Sequence, residues 1–194
     1  MDSVLDRAHT LAVGAVRPGG VAVDATVGNG HDTVVLARAV GEDGRVFGFD
    51  VQAEALRATR SRLNGQGLAD RVGLFEAGHE TMEVHVPPPV HGRVDAVTFN
   101  LGYLPGSDSG LTTTPSTTRP ALDAAVRLLR PGGVVTVVVY TGHEGGREEA
   151  AAVDAWAADL PQARFQALSY RFVNQRNDPP RLVAIEKTEG QSPA

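Results

Sequence analysis

Cysteine is absent from the 194-residue sequence. That excludes disulfide frameworks, thiolate zinc sites and cysteine nucleophiles, and it suits a reducing compartment. No apolar run approaches the roughly 20 residues of a membrane-spanning helix. The segment from Met1 to Arg7 lacks the basic flank and apolar stretch of a signal peptide, so a cytoplasmic protein is expected. Positive charge is also in short supply: 18 Lys and Arg stand against 23 Asp and Glu, for a formal net charge of −5. Strong nonspecific binding to DNA or to an anionic membrane is therefore not expected, although a small, local RNA contact is compatible with this balance. The basic residues are unevenly spread. Between Leu160 and Ile185 stand Arg164, Arg171, Arg176 and Arg181, with Asp178 as the acid among them. A polyanion would approach that C-terminal face, unless these are simply scattered, solvated arginines.

What is present is ordinary globular composition, 42% hydrophobic and 21% charged. A chain of this length suits one domain, expected over residues 1–188, with 189–194 a frayed tail. Val4, Leu5, Ala8, Leu11, Ala12 and Ala15 recur at helical spacing, and Pro18-Gly19-Gly20 ends that helix. Val21–Ala25 is short, apolar and β-branched, hence a buried strand. After a glycine loop, Thr33–Val40 reads as a helix. The alternation repeats with strand 45–50, helix 53–63, strand 72–76, strand 94–100 and helix 121–129. Pro131-Gly132-Gly133 stops that helix. Val134–Tyr140 is the most apolar strand and is expected to be the central one. Helix 148–160 follows, then strands 164–172 and 181–187 with no helix between them. Strand–helix alternation implies a parallel sheet with helices on both faces, whereas a loop-joined final pair implies an antiparallel hairpin. The expected fold is α/β: a modified Rossmann arrangement, a mostly parallel sheet of about seven strands closed by a C-terminal antiparallel hairpin.

Asp24-Ala25-Thr26-Val27-Gly28-Asn29-Gly30 falls where the first strand meets its helix. Glycines there let a ligand approach the backbone, and ligands of open α/β sheets bind at the carboxyl ends of the strands. Asp50 ends the second strand and can accept both ribose hydroxyls of an adenosine, each charge-assisted bond contributing roughly 1.5–3 kcal/mol. A dinucleotide fingerprint needs G-x-G-x-x-G, but Thr33 occupies the third position and the loop opens on a carboxylate. That carboxylate repels a pyrophosphate and suits a cationic, amine-bearing ligand. S-adenosylmethionine (SAM), with its sulfonium, α-amine and adenosine, meets these requirements; a tight turn with no ligand is the alternative. Glu76-Ala77-Gly78-His79 closes the third strand beside the expected adenine, where Gly78 permits close approach and His79 can pack or hydrogen-bond. A plain turn competes at Gly78.

Asn100-Leu101-Gly102-Tyr103-Leu104-Pro105-Gly106 follows the fourth strand, where a methyl acceptor would sit. The Asn100 side-chain carbonyl and the Leu101 backbone carbonyl offer two acceptors, and Tyr103 offers a ring face. Such a set orients an amine so that its lone pair faces the methyl group, and it stabilises the positive charge that grows on nitrogen. A free alkylamine resembles Lys, with a pKa of about 10.4, so supplying its neutral form near pH 7.4 costs about 4 kcal/mol. A desolvated pocket reduces that cost. No obligatory side-chain base stands in the motif, and a simple turn with Tyr103 packed inward is the competing reading. Among the six histidines no pair has the spacing of a helical zinc motif, so no metal is expected. His143, after the strongest strand, is a candidate substrate contact or base, with a structural role as the alternative.

These motifs resemble class I SAM-dependent methyltransferases, and most closely the YtqB-like rRNA methylase family. Members of that family are assigned as tRNA 5-aminomethyl-2-thiouridine methyltransferases (MnmM). The resemblance rests on residues 24–33, on Phe49-Asp50-Val51-Gln52, on 100–106, on Tyr140-Thr141-Gly142-His143-Glu144-Gly145-Gly146, and on Phe172-Val173-Asn174-Gln175-Arg176-Asn177-Asp178-Pro179-Pro180. It spans nearly the whole chain. Its departure from the wider methyltransferase pattern is Thr26, where a glycine is usual. The resemblance implies SAM as cofactor, bound by Asp24, Thr26, Gly28, Asn29, Gly30, Asp32, Asp50, Val51, Gln52, Gly78, His79 and Asn100. It implies Asn100 and Tyr103 as catalytic residues. It implies substrate contacts from Leu101, Gly102, Leu104, Pro105, Thr112, Thr114, His143, Asn174, Arg176 and Asn177. The implied partner is a tRNA anticodon loop, whose wobble uridine would carry the aminomethyl group, with no DNA or membrane partner and the chain a monomer or homodimer. Another RNA site, a small-molecule amine, or a non-catalytic SAM-binding module are the other readings.

Overall fold

The computed structural model describes residues 1–102 and 112–189. The described residues form strands β1 (Val21–Asp24), β2 (Arg45–Asp50), β3 (Val72–Glu76), β4 (Val94–Leu101), β5 (Leu129–Val139), β6 (Phe165–Tyr170) and β7 (Arg181–Lys187). The helices are α1 (Val4–Ala15), α2 (His31–Ala39), α3 (Ala53–Asn64), α4 (Met82–His85), α5 (Pro115–Leu128) and α6 (Gly146–Ala158). One sheet holds all seven strands in the order β3-β2-β1-β4-β5-β7-β6. The first five are mutually parallel, and β7 runs antiparallel to both of its neighbours. The expected hairpin is present, with β7 inserted between β5 and β6. Residues 134–139 of that expected strand fall within β5, fifth in the order, so β4 rather than β5 is central.

Alternation along each strand feeds two cores, because successive side chains of a strand point to opposite faces. Val23, Val97, Phe99, Val135 and Val137 face α4, α5 and α6 in one cluster. Ala22, Val46 and Ala96 face Ala12 of α1, Leu36 of α2 and Leu63 of α3 in another. Val4 and Ala8 of α1 continue that second layer over Val138, Leu182 and Ala184. Among the described residues, no helix is long and apolar enough to cross a membrane.

Most boundaries shift by only one or two residues, and three larger departures from the sequence expectation have a physical cause. Helix α5 begins at Pro115 rather than Ala121 and keeps Pro120 inside it. Pro115 is pre-organised for a first helical turn. The Thr118 hydroxyl donates to the buried Glu149 carboxylate at 2.6 Å, which secures that turn from a distant helix. Strand β5 begins at Leu129, taking in the Pro131-Gly132-Gly133 segment that reads as a helix stop. Arg130 is drawn onto the fully buried Asp95, which also receives Arg17 and the Val21 N–H, so the chain runs on alongside β4 with a register shift between Val94 and Ala96. A β-carbon at Gly133 would lie 2.9 Å from the Val94 carbonyl oxygen, so this close approach needs glycine. The short α4 was not legible at all; Met82 and Val86 are fully buried, and burial rather than periodicity shapes it.

Candidate active site

At the carboxyl ends of the parallel strands lies a cavity of about 710 Å³, walled by the loop after β1, the ends of β2, β3 and β4, helix α1 and residues 112–117. This is the size of a typical small-molecule site.

On one side the loop between β1 and α2 is held from several directions. Gly28 and Gly30 adopt positive φ of 51° and 75°. A β-carbon at Gly30 would stand 2.5 Å from the Thr59 hydroxyl, which itself donates to the Gly28 carbonyl at 3.0 Å. The Gly28 N–H donates to one Asp50 oxygen at 2.8 Å and the Gln52 N–H to the other at 2.9 Å. Asp50 lines the cavity, and each of its oxygens retains acceptor capacity, since an ionised carboxylate offers about four lone-pair sites. The Thr26 hydroxyl accepts the Asn100 N–H at 2.7 Å and so ties the loop to the end of β4. Phe49, Val51 and Ala77 supply apolar wall, with Phe49 stacked on Phe75 at a ring separation of 5.2 Å. His79 is buried, edge-on to Phe99, and hydrogen-bonded to the Ala25 backbone. Burial holds its pKa below the ordinary value, so the ring is neutral at pH 7.

Facing this wall, α1 contributes Leu5 and His9, and Asp32, Asn100, Gly102, Thr112, Thr113, Thr114, Thr117 and Tyr140 complete the enclosure. Asp32 bridges two of them: one oxygen pairs with His9 Nε2 at 2.8 Å, and the other accepts from Asn100 Nδ2 at 2.6 Å. Asn100 Oδ1 is buried with no hydrogen-bond partner among the described residues. Burial pushes the Asp32 carboxyl up, but the hydrogen bond and charge of His9, with help from Asn100, outweigh it and hold the group low. The Asp32 hydrogen bond in turn raises His9 above its usual value. Burial, and then the Asp32 charge, raise the Tyr140 phenol, which stays protonated.

Of the expected cofactor residues, Thr26, Gly28, Asn29, Asp32, Asp50, Val51, Gln52, Gly78, His79 and Asn100 line the cavity. Asp24 does not. It is fully buried beneath the loop, accepting from the Thr33 hydroxyl at 2.6 Å and the Thr26 N–H at 3.2 Å. Burial, and then the negative charges of Asp32 and Asp50, push its carboxyl up to about 7. In this structure it shapes the loop from beneath and does not line the cavity. Gly30 likewise packs on Thr59 and stays out of the wall.

Among the expected substrate residues, Gly102, Thr112 and Thr114 are in the wall. Leu101 is not: its side chain is fully buried, and its carbonyl accepts the Tyr140 N–H at 3.1 Å because β4–β5 pairing continues one step further. His143 stands behind the wall, Nδ1 against the Glu144 carbonyl at 2.9 Å. Asn174, Arg176 and Asn177 are exposed on the loop between β6 and β7, outside the cavity but at the same end of the sheet, since β6 runs parallel to β5. Tyr103, Leu104 and Pro105 lie outside the described residues. The basic C-terminal face is thinner than its composition suggests. Arg181 is paired with Asp154, and Arg164, although exposed, lies over the Phe165 ring; Arg171 and Arg176 are exposed as well.

The sequence reading does not place Leu5, His9, Thr113 or Tyr140 in the site, whereas Thr117, in the loop expected to cover it, does line the cavity. The one available signal was that Leu5 and His9 are one helical turn apart and flank the apolar stripe Val4–Ala8–Ala12. The sequence reading also missed Glu149, which accepts from the Thr113 hydroxyl at 2.7 Å while that hydroxyl accepts the Gly102 N–H at 2.9 Å, and so holds one rim of the cavity.

A parallel sheet with a reversed terminal pair, a glycine loop and an acid at the end of β2 together define a SAM-dependent methyltransferase, and the comparisons agree. The family described as "Putative rRNA methylase" matches residues 46–186, and the chain belongs to it. Over 190 residues the chain is 38% identical to the chloroplastic "tRNA (mnm(5)s(2)U34)-methyltransferase" of Arabidopsis thaliana, covering 94% of this chain and 68% of that one. A solved "putative rRNA-methylase" of Clostridium thermocellum superposes with a TM-score of 0.92 at 43% identity, covering 96% of this chain and 98% of that one. A "putative methyltransferase" of Streptococcus mutans, solved with S-adenosylhomocysteine (SAH), gives a TM-score of 0.86 at 35% identity, covering 96% and 99%. SAM is the methyl donor of this enzyme class, and the chain is an enzyme of that class.

Proposed function

We propose that this methyltransferase acts on the aminomethyl nitrogen of 5-aminomethyl-2-thiouridine at the wobble position of tRNA. The observation that carries the reading is that Asn100 lines the cavity while its Oδ1 is buried with no hydrogen-bond partner among the described residues. A buried acceptor left unsatisfied costs roughly 1–3 kcal/mol, which a ligand N–H recovers. The choice of RNA rather than a small amine is supported by the likeness to the Arabidopsis tRNA methyltransferase. A wobble base already stands in a single-stranded loop, so splaying it into a pocket costs little stacking energy.

SAM brings an electrophilic methyl group on a sulfonium. In the proposed arrangement Asp50 takes the ribose hydroxyls, Gly28 allows close approach, and Val51 and Ala77 flank the adenine. Asn100 Oδ1 accepts one N–H of the neutral amine and turns its lone pair toward the methyl carbon. The N–C bond then forms as the C–S bond breaks, with the bonding pair going to sulfur. The substrate ammonium gives up its proton to solvent before attack, and the methylated product leaves as its ammonium. The anionic Asp32 and the Tyr140 ring stand beside the nitrogen as it gains charge, so stabilisation grows along the reaction rather than in the ground state alone. Arg171, Arg176, Asn174 and Asn177 offer phosphate and base contacts to the flanking loop.

The test is nucleoside mass spectrometry of tRNA carrying 5-aminomethyl-2-thiouridine, incubated with the protein and SAM. A gain of one methyl group on that nucleoside is expected. Methylation of a low-molecular-weight amine, with the tRNA left untouched, would replace the tRNA by a small-molecule substrate.

A further inference from the structure

We infer that His9 is a positioning residue for methyl transfer: through Asp32 it holds the Asn100 amide with its carbonyl oxygen toward the acceptor nitrogen. The inference rests on the amine reading above. An asparagine amide has a donor end and an acceptor end of nearly equal shape, and only its partners decide which end faces the ligand. Here Asp32 decides. An ionised carboxylate accepts and does not donate, so it selects Nδ2 of Asn100, at 2.6 Å, and leaves Oδ1 on the other side. A protonated Asp32 would present an O–H, and the amide could then turn over. Its NH₂ would face the cavity and confront the N–H groups of an amine.

Asp32 needs help to remain ionised, because its side chain is only 14% exposed. His9 supplies that help as a donor at 2.8 Å on the oxygen that Asn100 does not use. The two oxygens are thus divided, one to the histidine and one to the amide. Helix α1, which carries His9, is itself fixed. Ser3 caps its first turn, Val4, Ala8 and Ala12 are buried against the sheet, and the Tyr170 hydroxyl donates to the Asp2 carbonyl at 2.8 Å. The histidine lies outside residues 46–186, the span matched to the family, and reaches the site only because α1 packs beside α2.

Three measurements test this on the full-length protein: kcat and KM with the aminomethyl tRNA, the Kd of SAH by calorimetry, and the NMR signals of the Asn100 side-chain amide. In His9→Ala, kcat is expected to fall roughly 10- to 100-fold, the scale of a small misplacement at a reacting centre. The SAH Kd should change less than about twofold, because His9 acts on the acceptor side. Gln places a neutral amide donor near the position of Nε2, so His9→Gln should recover most of the lost kcat. The Asn100 amide protons, identified by their loss in Asn100→Ala, should show a hydrogen-bonded proton in the wild type and in His9→Gln that is lost in His9→Ala. Unchanged kcat in His9→Ala overturns the inference, as does a His9→Gln variant that melts like wild type yet is no better than His9→Ala. Failure of the wild type to methylate the aminomethyl nucleoside overturns the amine reading instead. In that event the amide signals still judge the positioning: unaltered in His9→Ala they overturn it, and lost there but kept in His9→Gln they support it.

Discussion

The two walls of the cavity are built differently. The wall formed by the β1–α2 loop, Asp50 and His79 comes from three strand ends that lie side by side in the sheet. Its shape is maintained mainly by backbone hydrogen bonds, and its key carboxylate is held by two N–H groups. The opposite wall is assembled from segments far apart in sequence: His9 on α1, Asp32 on α2, Asn100 on β4, residues 112–117 and Tyr140. It is held by side chains acting on side chains. The first wall is therefore suited to binding one invariant ligand, and the second to adjusting the orientation of a reacting group. Substitutions should separate binding from turnover according to the wall they touch.

The largest effect is expected from Asn100→Ala, which removes the acceptor left without a partner among the described residues. Turnover should fall by roughly 10²–10³-fold, the loss usual for a donor or acceptor aimed at developing charge, while SAH binding measured by calorimetry persists. Full activity would break the distinction between the walls. Asp50→Ala should show the reverse pattern, with cofactor affinity weakened by roughly 1.5–3 kcal/mol, or about 10- to 150-fold in Kd. Titration calorimetry with SAH reads this directly. Glu149→Ala leaves two threonine hydroxyls without their acceptor inside the protein. A loss of about 1–3 kcal/mol is expected in denaturant unfolding, together with a raised KM for the acceptor as residues 112–118 loosen.

The remaining effect concerns pH. Asp24 ionises near 4 in an unfolded chain, whereas burial raises it to about 7 in the fold. Between those values the folded state binds the extra proton, so this group's contribution to stability falls as pH rises from about 4 to about 7 and is level above that. Asp24→Asn should remove this slope. Unfolding free energies at pH 5 and pH 8 should therefore differ less in the variant than in the wild type. Equal slopes would show that Asp24 is not the group titrating beneath the first wall.

Much of the architecture was readable because it follows from local chemistry. The β-branched runs at 21–24 and 134–139 and the helical spacing of Val4, Ala8 and Ala12 needed no partner to be recognised. The glycine loop was readable because positive φ at Gly28 and Gly30 is a property of those residues themselves. The failures came where a distant residue overrode the local signal. Helix α5 starts at Pro115, ahead of the expected Ala121, because Glu149 anchors its first turn, and Pro131, which reads as a helix stop, lies in a strand that Asp95 draws alongside β4. Asp24 read as a ligand contact from its place in the loop, but the Thr33 hydroxyl turns it inward.

The sequence by itself determined the order of the seven strands and the five longer helices, the antiparallel ending and the residues of the first wall, because each is written in short contiguous segments with their own conformational preferences. Only the tertiary structure decided the opposite wall. Helix α1 has no chemistry of its own. It brings His9 to 2.8 Å from Asp32 because burying Val4, Ala8 and Ala12 fixes its place on the sheet. The direction of the Asn100 amide then follows from a carboxylate 68 positions away in the chain, and hydrogen bonds of that reach exist only once the hydrophobic layers have closed.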